Sequence, residues 1–332
     1  MSSISIIIPC LNEEKYIKNC IRSIINSKID NFELILVDGG SRDNTVNIIT
    51  EYQKKYSCIR LLHNPEKFTP ISMNMGIKAS KGDYIFVISA HAEYQKNYFS
   101  FLLEEIKRLD ANCAGGILNT EVKNSNLKSN SIKTILTHKF GVGNADFRTG
   151  GSKVKEVDTV AFGCYTKEAF EQFGLYNEKL IRNQDIELNK RIINGGGKIY
   201  IIPDVQCTYY ARENFTDLAK NNFDNGKWNI LTAYYTKTLS SLSLRHFIPL
   251  IFVSSLFLPL LLAFININFL WITLLSLGSY LALVIILSLK LREKSRSFLY
   301  LISSFLTLHI SYGVGSLVGI FSVLKRVIKG MK

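Results

Sequence analysis

The chain lacks several features that would assign it quickly to a class. None of its six cysteines stands in a Cys-x-x-Cys pair, which excludes a zinc ribbon and gives no sign of a disulfide framework. No nucleic-acid-binding signature accompanies the formal net charge of +13, so anionic lipid and phosphorylated substrates are better candidates than nucleic acid. The first apolar run, residues 4–8, is too short for a signal peptide. We therefore expect reduced, mostly buried thiols in a domain that stays in the cytoplasm.

Long apolar runs are scarce before Arg245 and frequent after it, although the hydrophobic fraction of the whole 332-residue chain is 47%. A soluble domain followed by a membrane module explains this uneven distribution. We predict three parts: a cytosolic domain at residues 1–212, an amphipathic interfacial helix region at 213–244, and a transmembrane or re-entrant helical module at 245–332.

The first part alternates between two kinds of pattern. Short β-branched runs at residues 4–8, 33–37, 59–62 and 84–88 predict strands, and amphipathic helical stretches separate them. Four such βα units in about ninety residues predict an α/β fold. The second run ends in Asp38, followed by two glycines and by hydroxyl and acidic side chains that can open a helix. Strand-to-helix turns of this kind are where doubly wound folds bind nucleotides.

The fourth predicted strand runs into Ser89, Ala90 and His91, at a position where a metal ion or a diphosphate would be met. Two interpretations of His91 are open: a metal ligand through a ring nitrogen, or a histidine that only satisfies hydrogen bonds. The His-x-Glu pair formed with Glu93 also occurs in zinc deaminases. No Pro-Cys-x-x-Cys follows it, which excludes that class.

One carboxylate stands out in the second half of the chain. Asp185 begins a predicted helix that ends at three glycines, residues 195–197. An acidic residue in the first turn is favoured by the helix dipole and held on a rigid element, which suits a general base. The alternative is an acid that only caps the helix. The position of Asp185 between a nucleotide-binding sheet and a membrane module favours the base.

Two further stretches have less regular patterns. Residues 119–155 are polar and contain several glycines, which predicts a flexible loop region over a site. Residues 213–235 interleave aromatic and lysine side chains immediately before the apolar runs, as is typical of a helix lying on a membrane surface. An ordinary packing helix is the alternative for this second stretch.

The apolar runs predict the membrane topology. Residues 247–265 and 269–289 are each near the ~20 residues needed to span a bilayer, and their short connection predicts a hairpin. A basic cluster, residues 290–296, precedes a third apolar stretch at 298–324. If all three stretches crossed, the basic tail at 325–332 would lie outside, against the preference of basic segments for the cytoplasm. We therefore expect the third stretch to be re-entrant or interfacial, with three full spans as the alternative.

Several motifs, in the same order, resemble those of the family 2 inverting GT-A glycosyltransferases. Residues 6–14 (IIIPCLNEE) are similar to the family's opening nucleotide motif, and residues 37–45 (VDGGSRDNT) to its second. Residues 73–83 (MNMGIKASKGD) are similar to the segment before the metal-binding strand. The likeness covers nearly the whole chain and is greatest to membrane-anchored enzymes of succinoglycan-type exopolysaccharide assembly. The stretches that carry this last likeness are residues 140–143 with 147–148, 157–163 and 309–315.

The resemblance implies a nucleotide-diphospho-sugar transferase fold with a mostly parallel, Rossmann-like sheet at residues 1–212. It also implies a nucleotide sugar as donor, a membrane-associated, polyprenyl-linked saccharide as acceptor, and Mn²⁺ or Mg²⁺ as the metal. Asp185, at the family's Glu-Asp position, would be the catalytic base. The residues implied at the nucleotide are Pro9, Asn12, Glu13, Asp38, Asn74 and Ser89. One base to deprotonate the acceptor and one cation to neutralise the leaving group suffice for this reaction. No second acid is needed, because a diphosphate leaves without protonation.

The chain departs from the family's pattern at two positions. Ser89-Ala90-His91 replaces the Asp-x-Asp motif and leaves His91 as the metal ligand there, and the residue before the base is Gln184. The first hypothesis is an active glycosyltransferase, integral to the cytoplasmic membrane, with its catalytic domain in the cytoplasm. The second is a catalytically weakened homologue that serves as a binding or scaffold subunit of a polysaccharide assembly complex. Retention of Asp185 favours the first, and the serine at position 89 keeps the second open.

Overall fold

The computed structural model describes residues 3–240 and 242–330. The chain divides into two compact units. The first combines Met1–Asn119 with Ala145–Tyr210, and the second combines Thr120–Asn144 with Ala211–Lys332. The predicted three-part division with boundaries at 212 and 244 stays a prediction, and the Lys332 end of the predicted basic tail lies outside the described residues.

The described residues form nine strands and thirteen α-helices. The strands are β1 (Ile4–Cys10), β2 (Phe32–Asp38), β3 (Ile59–His63), β4 (Tyr84–Val87), β5 (Ala92–Tyr94), β6 (Cys113–Glu121), β7 (Lys155–Glu156), β8 (Cys164–Thr166) and β9 (Ile199–Tyr210). The helices are α1 (Ile17–Ile25), α2 (Thr45–Lys55), α3 (Thr69–Ala79), α4 (Tyr98–Arg108), α5 (Leu127–Leu136), α6 (Lys139–Val142), α7 (Asp146–Thr149), α8 (Lys167–Phe173), α9 (Gln184–Asn194), α10 (Phe215–Thr236), α11 (Ile248–Leu262), α12 (Phe269–Leu291) and α13 (Phe298–Gly330).

All nine strands belong to one sheet, in the order β3-β2-β1-β4-β8-β6-β9-β5, with β7 paired to β9. β1 pairs in parallel with β2 and β4, so that Ile7 lies opposite both Ile35 and Val87. β8 is antiparallel to β4 and β6, and β9 is antiparallel to β5 and β7. The α/β fold class is confirmed, and the parallel half predicted from residues 4–88 continues into an antiparallel half.

Both faces of β1 are buried, which explains why its sequence is apolar without alternation. Ile6 and Ile8 pack in one apolar cluster with Ile21 of α1. Ile7 points to the opposite face and packs in a second cluster with Ile192 of α9. α9, the helix that carries Asp185, therefore packs in the apolar cluster on the face of the sheet to which Ile7 points.

Two prolines lie inside strands of the sheet. Pro9 belongs to β1 and follows Ile7, the last residue of β1 paired with β4. Pro203 belongs to β9 and lies between the residues paired with β7 and those paired with β5. A proline has no N–H to donate, so it is tolerated where a strand lacks a neighbour on one side.

The prediction of an irregular loop across residues 119–155 was wrong. This stretch contains the end of β6 and the helices α5, α6 and α7. α5 begins with a capping box, in which the side chain of Asn126 accepts from the N–H of Ser129 and the hydroxyl of Ser129 accepts from the N–H of Asn126. The polar residues read as loop formers are helix caps.

In the second unit, α11 and α12 form the predicted hairpin. The hydroxyls of Ser255 and Ser276 lie 2.6 Å apart, and the rings of Phe252 and Tyr280 stack with centroids 4.2 Å apart. By length and composition, three helical stretches could cross a membrane. They are Leu244–Leu262, Phe269–Leu291 and Phe298–Gly330.

Candidate active site

The loops that follow β1 and β2 are tied together by hydrogen bonds. Oδ1 of Asn12 accepts from the N–H of Arg42 at 2.8 Å, and the N–H of Asn12 donates to the hydroxyl of Ser41 at 2.9 Å. The N–H of Glu13 donates to the hydroxyl of Thr45 at 2.7 Å. Asn12 has a φ of +57°, a left-handed backbone that asparagine tolerates. The predicted nucleotide residues at the ends of these two strands therefore lie at one edge of the sheet.

Asp38 shapes the second of these loops. Its side chain is buried, and its carboxylate accepts from the N–H groups of Gly40 at 3.0 Å and of Ser41 at 3.1 Å. Gly40 has a φ of +86°, which a glycine adopts without steric strain. Nδ1 of His63 lies 3.7 Å from the same carboxylate. The carboxylate thus fixes the turn by which backbone can approach a ligand.

His91 and Glu13, from separate motifs, lie side by side. Nδ1 of His91 is 3.2 Å from Oε1 of Glu13. The hydroxyl of Ser89 accepts from the N–H of His91 at 3.4 Å, and the N–H of Ser89 donates to the phenol oxygen of Tyr94 at 3.0 Å. Ser89 therefore holds the backbone turn that presents the imidazole to Glu13.

The Glu13–His91 pair offers two side chains of the kind that hold a divalent cation. Within residues 3–240 and 242–330, no three His, Cys, Asp or Glu side chains converge as metal ligands. One imidazole nitrogen and one carboxylate oxygen are acceptable ligands for Mn²⁺ or Mg²⁺, and diphosphate oxygens can fill the remaining positions. The metal role of His91 stays a prediction.

Asn74 is placed differently from the other residues implied at the nucleotide. It is 2% exposed, and its amide donates to the carbonyl of Tyr176 and to Oε1 of Glu178, both at 2.9 Å. Its own oxygen accepts from the N–H of Tyr176 at 3.0 Å. These bonds place Asn74 with the segment that leads into α9 rather than with Glu13 and His91.

Asp185 lies in the first turn of α9, one residue after the helix begins. The preceding Asn183 has a φ of +61°, so the chain enters the helix through a sharp left-handed turn. Part of residue Asp185 is exposed, but its carboxyl group lies among protein atoms, and this burial raises its pKa. Hydrogen bonding from the N–H of Ile186 and the charge of Arg148 oppose the rise. A carboxylate with a raised pKa is a stronger base than an ordinary aspartate.

The rear face of α9 is held by buried polar contacts. Asn189 is fully buried and accepts from the phenol of Tyr165 at 3.0 Å. Arg191 pairs with Glu187 at 2.8 Å and donates to the carbonyl of Leu175 at 2.9 Å. A helix fixed in this way holds its first-turn carboxylate in one position.

The residue before Asp185 has an unsatisfied buried oxygen. Among the residues that the structure describes, Oε1 of Gln184 has no hydrogen-bond partner. A buried acceptor without a donor is unfavourable. A hydroxyl of a bound ligand would supply that donor, so Gln184 is a candidate ligand contact.

Sequence reasoning did not assign Arg148 to the site. Its guanidinium carbon lies 5.4 Å from the ring centroid of Tyr209 and 5.5 Å from that of Phe147. The ring of Tyr209 is in turn 5.7 Å from that of His91. Among the described residues, none forms a hydrogen bond or an ion pair with this guanidinium. Arg148 therefore lies near the aromatic ring that neighbours His91, and its charge lowers the pKa of Asp185. The sequence signal for Arg148 was its place in one of the stretches that carry the family resemblance.

The architecture is similar to that of solved sugar-transferring enzymes. Mannosyltransferase PcManGT from Pyrobaculum calidifontis, solved in complex with GDP-Man and Mn²⁺, matches with a TM-score of 0.61 and 12% identity. The match covers 94% of this chain and 87% of the other. At this identity the likeness concerns the fold alone. The mixed sheet and its polar edge therefore have the GT-A fold.

Sequence comparison gives the family. Residues 5–167 match the model of glycosyl transferase family 2. The dolichyl N-acetyl-alpha-D-glucosaminyl phosphate 3-beta-D-2,3-diacetamido-2,3-dideoxy-beta-D-glucuronosyltransferase of Methanococcus voltae is 31% identical over 236 residues, 68% of this chain and 72% of that protein. Succinoglycan biosynthesis protein ExoA of Rhizobium meliloti (strain 1021) is 26% identical over 289 residues, 83% of this chain and 82% of that protein. The chain belongs to glycosyltransferase family 2, which confirms the predicted family and enzyme class.

Proposed function

We propose that this glycosyltransferase is an inverting enzyme that moves a sugar from a nucleoside-diphosphate sugar to a membrane-associated, polyprenyl-linked saccharide. The product would be an intermediate of an exopolysaccharide or another cell-surface glycan. The observation that carries the proposal is the carboxyl group of Asp185, which is fixed at the start of α9 and has a raised pKa. The names of the two relatives support a lipid-phosphate-linked acceptor and a polysaccharide product.

In this mechanism Asp185 is the only proton acceptor. The acceptor hydroxyl donates a hydrogen bond to Asp185 and loses its proton to the carboxylate as its oxygen attacks the anomeric carbon. The bond from that carbon to the diphosphate oxygen breaks on the opposite face, so the configuration inverts. The diphosphate leaves as an anion and takes no proton. The orphan oxygen of Gln184 would accept from a neighbouring hydroxyl and orient the acceptor.

The leaving diphosphate needs positive charge, and two groups of this site can provide it. The guanidinium of Arg148 would donate to the diphosphate oxygens, because it lies against the rings of Phe147 and Tyr209 and no described residue accepts a hydrogen bond from it. His91 and Glu13 would hold Mn²⁺ or Mg²⁺ together with the donor. When bound, the metal neutralises charge that develops on the diphosphate.

The charge pattern supports a cytoplasmic location for the first unit. Residues 290–296, at the end of α12, contain four basic side chains. Basic segments next to membrane spans favour the cytoplasmic side. A hairpin of α11 and α12 starts and ends on the same side, so the segment that leads into α11 would also be cytoplasmic.

A ligand screen followed by a turnover assay tests the proposal. The full-length protein in lipid nanodiscs would be heated with a panel of nucleotide sugars, with and without Mn²⁺, because a bound ligand raises the unfolding temperature. We expect one donor to stabilise the protein and to be hydrolysed slowly or transferred to a polyprenyl-linked saccharide. Donor binding without any turnover would instead support the scaffold hypothesis. No stabilisation by any nucleotide sugar would contradict both.

A further inference from the structure

Helices α10 and α13 approach so closely that their backbones touch. A Cβ atom added to Gly226 of α10 would clash with the carbonyl oxygen of Tyr312, and one added to Gly315 of α13 would clash with that of Phe223. A Cβ at Gly319 would lie 2.8 Å from a carbonyl oxygen of α10. Only glycine fits at these positions, and small residues of this kind permit close helix packing.

The two helices run in the same direction along an extended contact. Four of the contacts occur in the same order along both helices: Phe215 with Tyr300, Phe223 with Gly315, Lys227 with Gly319, and Tyr235 with Arg326. α10 therefore lies beside α13 over most of the length of α13.

The beginning of α13 has a second neighbour, the segment that contains α5 and α6. The N–H of Ser297, just before the helix, donates to the hydroxyl of Ser131 at 3.3 Å. Nε2 of His309 lies 2.9 Å from the carbonyl oxygen of Phe140, and the rings of Phe140 and Phe305 are 5.2 Å apart. Helices that do not themselves qualify as membrane spans thus cover one face of α13. α11 and α12 also contact α13, through Val253 at Gly313 and Tyr280 at His309.

The uncovered face of α13 is apolar. Ile310, Phe321, Leu324 and Ile328 recur at helical spacing and are 39%, 68%, 51% and 59% exposed. Exposed Lys325 and Lys329 flank this apolar stripe. A helix with an exposed apolar stripe and flanking lysines has the character of a segment that lies in a membrane surface.

A membrane-spanning α13 would carry α10 into the hydrocarbon beside it. The part of α10 that lies along residues 300–319 of α13 contains Asp217, Lys220, Asp224 and Lys227. Charged side chains at the centre of a bilayer are strongly unfavourable. If α13 lies in the membrane plane instead, its apolar stripe faces the acyl chains and α10 stays on the aqueous side.

We propose that α13 does not cross the membrane. It lies in the surface of an anionic bilayer, with α10 stacked on it, the apolar stripe at the acyl boundary, and Lys325 and Lys329 at the lipid headgroups. The chain then crosses the membrane twice, through the α11–α12 hairpin. The assignment of this surface to the cytoplasmic leaflet rests on the proposed function, whereas the in-plane orientation does not.

Depth measurements test the orientation in the full-length protein. Only Cys58 of the six native cysteines is partly exposed, so a Cys58→Ser chain is a suitable background for single added cysteines. Nitroxide labels at Ile310→Cys, Phe321→Cys and Ile328→Cys would be compared with labels at Trp271→Cys, Leu275→Cys and Ile286→Cys of α12. The vesicles would contain phosphatidylcholine and phosphatidylglycerol.

We expect the three α13 labels to share one shallow depth and the α12 labels to spread across the bilayer. A spanning α13 would separate positions 310 and 328 by about 27 Å, at 1.5 Å per residue, and this result would overturn the proposal. The unmodified Cys58→Ser chain is the control for labelling of the buried thiols. A variant that fails to insert is recognised because it does not co-sediment with the vesicles, and the sidedness measurement below still decides the question.

Labelling of intact cells with a membrane-impermeant thiol reagent gives the sidedness. We expect Asn266→Cys, in the hairpin loop, to react from outside, and Lys294→Cys and Lys329→Cys to react only after permeabilisation. Reaction of both Asn266→Cys and Lys329→Cys from outside would show that α13 crosses. The inverse pattern, with only positions 294 and 329 reactive, would contradict the proposed cytoplasmic orientation and leave the in-plane helix intact.

Discussion

The polar edge of the sheet and the α10–α13 pair both depend on glycine, but for different physical reasons. At the sheet edge, Gly40 supplies a positive φ, and Asp38 fixes the resulting turn with hydrogen bonds two and three residues away. In the helix pair, Gly226 and Gly315 supply only the absence of a side chain. The first use of glycine is visible in a short stretch of sequence. The second becomes visible only when both partners are known.

The largest effect that we expect is at Asp185, in the first turn of α9. Asp185→Asn should lower the rate of sugar transfer by about 10²–10⁴-fold, because the change removes the base and keeps the shape. Steady-state kinetics with the identified donor measures the loss, and thermal shift should show nearly unchanged donor binding. Asp204→Asn, an exposed aspartate of β9, is the matched control. Wild-type turnover in Asp185→Asn would remove this residue from the mechanism.

Arg148→Ala should have the next largest effect. Loss of charge-assisted hydrogen bonds to the diphosphate is worth about 1.5–3 kcal/mol, which corresponds to about ten- to a hundredfold weaker donor or nucleoside-diphosphate binding. Calorimetry with the free nucleoside diphosphate measures it without any turnover. Arg148→Lys should recover part of the affinity, since it restores the charge but not the planar fork. Equal affinity in all three proteins would show that Arg148 does not contact the diphosphate.

Two glycines of the second unit, Gly315 in α13 and Gly278 in α12, allow the close packing of α10 on α13 to be tested. Gly315→Leu should destabilise the second unit by about 1–3 kcal/mol or more, because the new side chain meets the backbone of Phe223. Gly278→Leu in α12 adds the same side chain where no atom lies within 4 Å of the added Cβ. Thermal unfolding in nanodiscs should therefore separate the two variants. Equal unfolding temperatures would contradict the close packing of α10 on α13.

The pH dependence of transfer tests the electrostatics of the base. Asp185 must be deprotonated to accept a proton, and burial raises its pKa. Activity should therefore rise with pH through a value above that of an ordinary aspartate and be lost as the pH falls below it. Arg148→Ala removes a charge that lowers this pKa, so its acidic limb should move to still higher pH. Profiles of kcat/KM for the two proteins make the comparison, and a shift to lower pH would be the contrary result.

The smallest effects concern the metal. His91→Ala should weaken the metal-dependent part of donor binding, and Ser89→Asp should strengthen it by adding a hard oxygen ligand. Calorimetric titrations with donor, with Mn²⁺ and after chelation, measure both changes. If metal affects donor binding in none of the three proteins, His91 only supports the turn and pairs with Glu13.

Hydrophobic periodicity and helix-end signals predicted the parts of the fold that depend on nearby residues. Alternating β-branched and helical runs gave the parallel strands, and the acidic start and glycine end gave α9. β8 is only three residues long, and its place between β4 and β6 depends on pairing with distant segments. The hydrogen bonds of Asn74 reach a hundred residues along the chain, and Arg148 joins the site through tertiary folding alone. No periodicity signals contacts of that kind.

The cluster that joins α5 to the later helices has a consequence for the order of biosynthesis. Ile135 is fully buried with Val284, Leu301 and Phe305, which a ribosome adds roughly 150–170 residues later, on the order of ten seconds at about 5–20 residues per second. Until then the apolar side of α5 has only part of this cluster, its contact with α6. α12 supplies Val284, and α13 supplies Leu301 and Phe305. A chain cut after residue 240 would therefore keep the strands of the sheet but expose the apolar side chains of α5 and α6. If it aggregates, the cause would be these uncovered side chains and not a misfolded sheet.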